Sequence, residues 1–378
     1  MKKSILIIAG EASGDNVGGL LAAELQLLRP GYDLFGLGGD RMDVSGVDIL
    51  FHINQLSFLG FWEVVKHIPF IRQVEKEILK HVEDRKPSLA ILIDYPGFNL
   101  RLAGKLRSMN VPIMYYVSPQ VWAWGKKRVA KIRKLVDLMV VIFEFEKEMY
   151  EKAGVRAEWH GHPLLEIVRT ALNRDDLLAR LNLKQGDRYI GLFPGSRRQE
   201  VEKILPVMRG AVKRATGGGM KLKSVVGCAP GIDDGYYRKI GGDDLIYSRG
   251  MTYDVMAQAD LNLVASGTAT LECAILGRPL FVLYKTSLIT FLIARTLIKI
   301  PYVGLVNVVA EKKIAPEFIQ GNCRPEPVAF EIDRFFSRAD YRDAMVRELA
   351  SIRGRLGEQG ASKKAAEIAI NLIERRRD

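Results

Sequence analysis

Short, nearly unbroken apolar runs alternate along the chain with stretches of helical periodicity. In the first half the runs cover residues 5–9, 34–37, 89–93, 113–117 and 138–142. In the second half they cover 189–193, 222–226, 245–247, 261–265 and 280–283. Runs with no polar alternation are what strands covered on both faces require. Residues 17–28 and 204–214 repeat their apolar positions at the 3.6-residue period of a helix. This alternation predicts an α/β fold built on parallel sheets. After Gly161-His162-Pro163 the chain turns charged and helical up to Arg188. That change predicts two doubly wound, Rossmann-like domains, residues 1–165 and 166–340, facing each other across a cleft. Residues 341–378 read as helix, with Ile352, Leu356, Ile368 and Leu372 among many charges. That tail packs on the first domain or on a second subunit.

Two of the runs in the second half lead into small-residue turns and then helices. Residues 189–193 are followed by Pro194-Gly195-Ser196-Arg197, and residues 261–265 by Ser266-Gly267-Thr268-Ala269-Thr270-Leu271-Glu272. A helix that starts this way points unpaired N–H groups and the positive end of its dipole at the strand ends, which suits phosphate. Arg197 adds a planar fork for diphosphate oxygens. Glu272 stands where a carboxylate can take ribose hydroxyls. The pair predicts a nucleotide diphosphate held by the second domain.

Composition narrows the classes. Across 378 residues, 48% are hydrophobic and 26% charged, which is globular. Two domains of roughly 150 residues fit that length. The formal net charge of +12 favours an anionic partner, whether nucleic acid, phosphorylated substrate or anionic membrane. Nucleic acid lacks a supporting motif. The three cysteines, Cys228, Cys273 and Cys323, are far apart and show no CxxC spacing. With five scattered histidines they predict neither a disulfide framework nor a metal site, as in a reducing cytosol. No apolar run reaches the ~20 residues of a spanning helix.

Other motifs each leave two readings open. Gly10-Glu11-Ala12-Ser13-Gly14-Asp15 follows the first strand and is not the GxGxxG fingerprint. It is either a substrate loop or a capped turn. Asp94, in Ile93-Asp94-Tyr95-Pro96-Gly97-Phe98-Asn99, ends a buried strand where a general base belongs, or it caps the next helix. Trp122 and Trp124 follow another strand and either bind sugar or acyl groups or pack in the core. The basic run Lys126, Lys127, Arg128, Lys131, Arg133 and Lys134 meets phosphate or membrane, or is a solvated helix face. Residues 56–71 carry Phe58, Leu59, Phe61, Trp62, Val65 and Phe70. They lie on a membrane surface or form a core helix and loop, and the net charge favours the membrane. Asn307 follows a further apolar run and either bonds a base or sugar or makes a turn.

In order along the chain, these strings resemble the lipid-A-disaccharide synthase family. The string Tyr116-Val117-Ser118-Pro119 through Trp122-Ala123-Trp124 is the most specific of them. The resemblance implies a GT-B fold with the active site between its domains. It implies inverting transfer of 2,3-diacylglucosamine from its UDP conjugate to 2,3-diacylglucosamine 1-phosphate (lipid X), with a β-1,6 bond formed and UDP released. Neither metal nor other cofactor is implied. Carried over by position, Asp94 is the catalytic base and Arg197 holds the UDP diphosphate. Ser196, Gly267, Thr268, Glu272 and Asn307 are donor-site residues, and Glu11, Ser13 and Asp15 face the acceptor. Residues 56–71 become the membrane-associating region, which puts the protein at the cytoplasmic face of the inner membrane. The family also allows a homodimer with exchanged C-terminal segments. Two positions depart from its pattern: Gly97 replaces a common second acid, and Val306 replaces a Pro. Two alternatives stay open. One is another GT-B transferase using a UDP-amino sugar and a lipid-linked acceptor, and the other is a nucleotide-sugar-binding protein without turnover.

Overall fold

The computed structural model describes residues 3–55, 68–121, 126–215, 219, 221–287 and 301–375. The chain forms two compact units: Met1–Ile167 with Leu356–Asp378, and Val168–Arg355.

The first unit holds a seven-stranded sheet in the order β3-β2-β1-β4-β5-β6-β7. The strands are β1 (Ser4–Ala9), β2 (Asp33–Gly38), β3 (Val47–His52), β4 (Leu89–Ile93), β5 (Ile113–Tyr116), β6 (Leu138–Val141) and β7 (Ala157–Trp159). The second unit holds a six-stranded sheet in the order β10-β9-β8-β11-β12-β13. Its strands are β8 (Arg188–Phe193), β9 (Leu222–Cys228), β10 (Ile246–Arg249), β11 (Leu261–Ala265), β12 (Leu280–Tyr284) and β13 (Glu317–Ile319). Every pairing in both sheets is parallel.

Each expected apolar run overlaps a strand, with 113–117, 138–142 and 245–247 each running one residue past it, and the central strands β1, β4 and β11 are buried along their whole length. Three strands were not anticipated: β3, β7 and β13. All three are sheet edges. An edge strand has a neighbour on one side only, and these are short or of mixed polarity, so no continuous apolar run marks them.

Helices cover both faces of the first sheet, giving two apolar layers. One gathers Val74, Ile78 and Val82 of helix Ile68–Arg85 with Leu102 and Leu106 of helix Pro96–Ser108. The other gathers Val17, Leu21 and Leu25 of helix Ala12–Leu28 with Ala365, Ala366 and Ala369 of helix Ala361–Glu374. Those alanines are fully buried, and their small side chains let the two helices pack closely. The tail is not one helix. It breaks at residues 356–360, with Ala339–Arg355 in the second unit and Ala361–Glu374 in the first.

Candidate functional site

In the first sheet the strand order reverses beside β1: the chain steps outward through β2 and β3, then returns to place β4 on the other flank. Successive crossovers on the two sides lie on opposite faces, so a crevice opens beyond the carboxyl ends of β1 and β4. The pairing Ala9↔Ile93 brings the loops after these strands side by side. One starts at Gly10 and the other at Asp94.

The Asp94 turn is held under backbone strain. Asp94 (φ 46°) and Tyr95 (φ 45°) are consecutive residues in the left-handed region. Such residues cost roughly 1–3 kcal/mol each and persist where their surroundings over-determine them. Here Asn99, fully buried, donates Nδ2 to the carbonyls of Ile93 (3.1 Å) and Asp94 (2.8 Å). The Tyr115 hydroxyl donates to the same Asp94 carbonyl. Pro96 then opens the helix. With its carbonyl and N–H bound in this way, the half-buried Asp94 side chain is carried at the strand end. Tyr95 lies over Gly10, where an added Cβ would sit 2.2 Å from its ring, so only glycine fits beneath it. Burial, and after it the negative charge on Glu11, raises the Tyr95 hydroxyl above its usual range.

Glu11 and Ser13 are exposed at the head of helix Ala12–Leu28. Asp15 departs from the expectation that it faces an acceptor. It is 4% exposed and turns inward, accepting from the N–H groups of Gly39 (2.7 Å), Arg41 (3.1 Å) and Met42 (3.2 Å). Its carboxylate caps the short helix Asp40–Val44 from outside it, so its bonding capacity is spent on the fold. Phe70 is half-buried and packs against the first unit's core. Phe58, Leu59, Phe61, Trp62 and Val65 lie outside the described residues, as do Trp122 and Trp124. Gly97 is exposed, with no atom within 4 Å of an added Cβ, so a side chain fits there.

The second sheet repeats the arrangement. Its order reverses at β8 and β11, paired through Phe193↔Val264, and the two small-residue turns are the loops that follow them. Ser196 and Arg197 are exposed in the first loop. Their N–H groups do not stand open, however. Both donate to the Glu200 carboxylate, at 3.1 and 3.3 Å. Arg197 also makes a 3.7 Å ion pair with Glu200. The neighbouring Arg198 instead stacks on Tyr236 at 4.9 Å and pairs with Asp233. Of the two guanidinium groups, Arg197 is the one whose charge, with that of Glu200, acts on Tyr284 at the end of β12.

In the second loop Gly267 is partly buried and Thr268 exposed at the head of helix Ala269–Ile275. Ser266 donates its hydroxyl to the Val303 carbonyl at 2.9 Å. Glu272 is largely enclosed, and among the described residues its carboxylate has no hydrogen-bond or ion-pair partner. Burial pushes its carboxyl up to about 7. A carboxylate largely enclosed, and without a partner among the described residues, is poised to accept hydrogen bonds from a ligand. Asn307 corrects the sequence expectation. It is fully buried and its amide is saturated by the protein. Nδ2 donates to Ala315 O and Glu317 Oε1, and Oδ1 accepts from Ile314 and Ala315 N–H, all within 2.9 Å. It is a brace, with no bond left to give a base or sugar. Sequence reasoning assigned no role to Tyr95, Asn99, Glu200 or Glu317. Of these, only Glu200 left a clear signal, an acid three residues beyond the helix cap.

A family model described as lipid-A-disaccharide synthetase matches residues 5–369. The chain is 41% identical over 377 residues to the lipid-A-disaccharide synthase of Syntrophus aciditrophicus, covering 99% of this chain and 98% of that one. It is 41% identical over 372 residues to that of Myxococcus xanthus, covering 98% and 97%. Among solved structures it resembles S. aureus MnaA with UDP (TM-score 0.67, 14% identity, 98% of each chain). It also resembles the calicheamicin glycosyltransferase CalG4 (TM-score 0.62, 12% identity, 100% and 99%). At such identities these two show the fold alone, which is GT-B-like.

The buried Glu272 carboxyl generates a stability prediction. The folded chain holds its proton more tightly than the unfolded chain, whose glutamates titrate at about 4.3. The favourable contribution is therefore complete below that range and is lost as pH rises through about 7. Glu272→Gln is expected to stabilise the fold at pH 8 by roughly 3 kcal/mol, seen as a higher thermal midpoint, and to leave the midpoint unchanged at pH 4. Equal effects at both pH values would remove the assignment.

Proposed function

The chain belongs to the lipid-A-disaccharide synthase family, and on that premise we propose how it carries out the glycosyl transfer of lipid A biosynthesis. It transfers 2,3-diacylglucosamine from UDP-2,3-diacylglucosamine to the 6-hydroxyl of lipid X. The β-1,6 disaccharide 1-phosphate forms, UDP leaves, and the anomeric centre inverts. The observation that carries the reading is the pair of strand-end crevices. In one, consecutive left-handed residues hold the Asp94 turn, and in the other, the loops that carry Arg197 and the Ser266–Glu272 turn follow the adjacent strands β8 and β11.

Asp94 is the base that takes the acceptor hydroxyl proton as the sugar transfers. Positioned acid–base groups contribute roughly 10²–10⁴-fold. The strained turn supports this role because it fixes the carboxylate's direction before substrate arrives. Arg197 takes the charge that develops on the departing diphosphate. To meet it, the guanidinium trades its 3.7 Å contact with Glu200 for phosphate oxygens, while Glu200 keeps the loop N–H groups of Ser196 and Arg197. Gly267 and Thr268 let the phosphates approach the backbone. Glu272 accepts the ribose hydroxyls, which favours its ionised form. Glu11 and Ser13, on the loop beside Asp94, face the acceptor.

Both substrates carry acyl chains, so the enzyme works at a lipid surface. Among the described residues no helix is long and apolar enough to cross a membrane. Residues 56–71 are the proposed contact with the cytoplasmic face of the inner membrane, and a homodimer is compatible with the reading.

Purified protein given UDP-2,3-diacylglucosamine and lipid X is expected to release UDP and form the disaccharide phosphate; no product would refute the reading. Asp94→Ala should lower turnover by roughly 10²–10⁴-fold with UDP affinity retained, whereas Arg197→Ala should weaken UDP by about tenfold or more. An Asp94 variant with normal turnover, or an Arg197 variant with normal UDP affinity, would remove that residue from its role. Calorimetric titration of UDP should show affinity level above pH 8 and falling below pH 6, as Glu272 takes up its proton. A flat profile would exclude Glu272 from the ribose. In vesicle sedimentation, polar replacement of Phe58, Phe61 and Trp62 should free the protein from anionic bilayers, and undiminished sedimentation would remove the membrane contact.

A further inference from the structure

Glu317, the first residue of the edge strand β13, belongs to none of the motifs, yet its carboxylate gathers an unusual set of donors. It accepts from the backbone N–H of Val303 at 3.0 Å, from that of Gly304 at 2.8 Å, and from Asn307 Nδ2 at 2.9 Å. These three groups are the approach to helix Leu305–Ala310 and its first turn. The segment is also pressed against β12, since an added Cβ on Gly304 would sit 3.0 Å from Val282 and 3.2 Å from Glu317 itself. The same segment offers its Val303 carbonyl to the Ser266 hydroxyl at 2.9 Å. Ser266 is the residue with which the turn ending at Glu272 begins. A continuous chain of hydrogen bonds therefore runs from Glu317 through Val303 to the head of that turn.

We infer that Glu317 is a positioning residue for the donor: it fixes the 303–304 segment, and through the Ser266 hydroxyl it sets the turn against which the nucleotide lies. The inference rests on the proposed function, in which that turn holds UDP. The carboxylate form is needed because all three partners are donors. A neutral amide at the same place offers one acceptor oxygen and turns an N–H₂ group toward an N–H. The consequence is one-sided. Glu317 and its partners all belong to the second unit, so its loss acts on the donor and leaves the acceptor untouched.

The test compares wild type, Glu317→Gln, Ser266→Ala and the double variant, measuring UDP affinity by calorimetry and separate KM values for donor and acceptor. Glu317→Gln is expected to weaken UDP and raise donor KM by about tenfold, with acceptor KM unchanged. Ser266→Ala, which cuts only the last link, should reproduce part of that loss. The double variant should be no worse than Glu317→Gln alone, because residues acting through one another are not additive. Unchanged UDP affinity in Glu317→Gln overturns the inference whatever happens to its melting temperature, and so does additivity in the double variant. If Glu317→Gln does not fold, Ser266→Ala decides alone, and normal UDP affinity there overturns it. Failure of the wild type to turn over its two substrates would instead refute the proposed function, and the UDP affinities would still read the brace.

Discussion

Everything in the candidate site follows from one constraint, the reversal of strand order beside the first strand of each sheet. At β1/β4 and at β8/β11 the chain leaves to opposite sides, and its crossovers must lie on opposite faces. The loops beyond those strands cannot close over each other. Four short segments, starting at Gly10, Asp94, Pro194 and Ser266, are therefore left at the carboxyl ends. The sheets themselves are ordinary: apolar, parallel and buried. Their strand order decides where chemistry can be placed.

Open loops need holding, and here buried or half-buried carboxylates and amides hold them. Asp15 fixes the start of helix Asp40–Val44, Glu200 the Ser196–Arg197 backbone, Asn99 the Asp94 turn, and Glu317 with Asn307 the segment behind Ser266. Each satisfies backbone groups that would otherwise be unpaired at a loop, where a lost partner costs roughly 1–3 kcal/mol. Glu272 is the contrast: it is largely enclosed, with no such partner among the described residues, and its carboxyl is pushed up to about 7 by burial. Unpaired burial of this kind is unfavourable for folding and is relieved when a ligand supplies hydroxyls.

The central strands were legible because burial on both faces leaves no polar alternation to obscure them. The edges β3, β7 and β13 were not, since a strand with one neighbour needs no such run. Small-residue turns marked two of the four open loops, and the Gly10–Asp15 string and Asp94 marked the others. Direction was harder to read than position. Asp15 and Asn307 sit in the expected segments, but their side chains turn into the fold, and nothing in residue type shows which way a side chain one helical turn along will point. Glu317 was invisible for a related reason: its partners lie ten and more residues away, and only the pairing of β13 with β12 brings them to it. The anion cradle expected of the Ser196–Arg197 backbone is likewise revised, since Glu200 already takes those N–H groups and leaves the Arg197 side chain as the cation.

In the proposed reaction the second unit's crevice holds the leaving nucleotide. The most direct measurement is a crystal structure of the protein with UDP. The expected complex has the diphosphate within hydrogen-bonding distance of the Arg197 guanidinium and the ribose hydroxyls on Glu272, with Glu200 still on its loop. UDP bound away from the β8 and β11 ends, or ribose hydroxyls held by other groups while Glu272 stays unpaired, would contradict it.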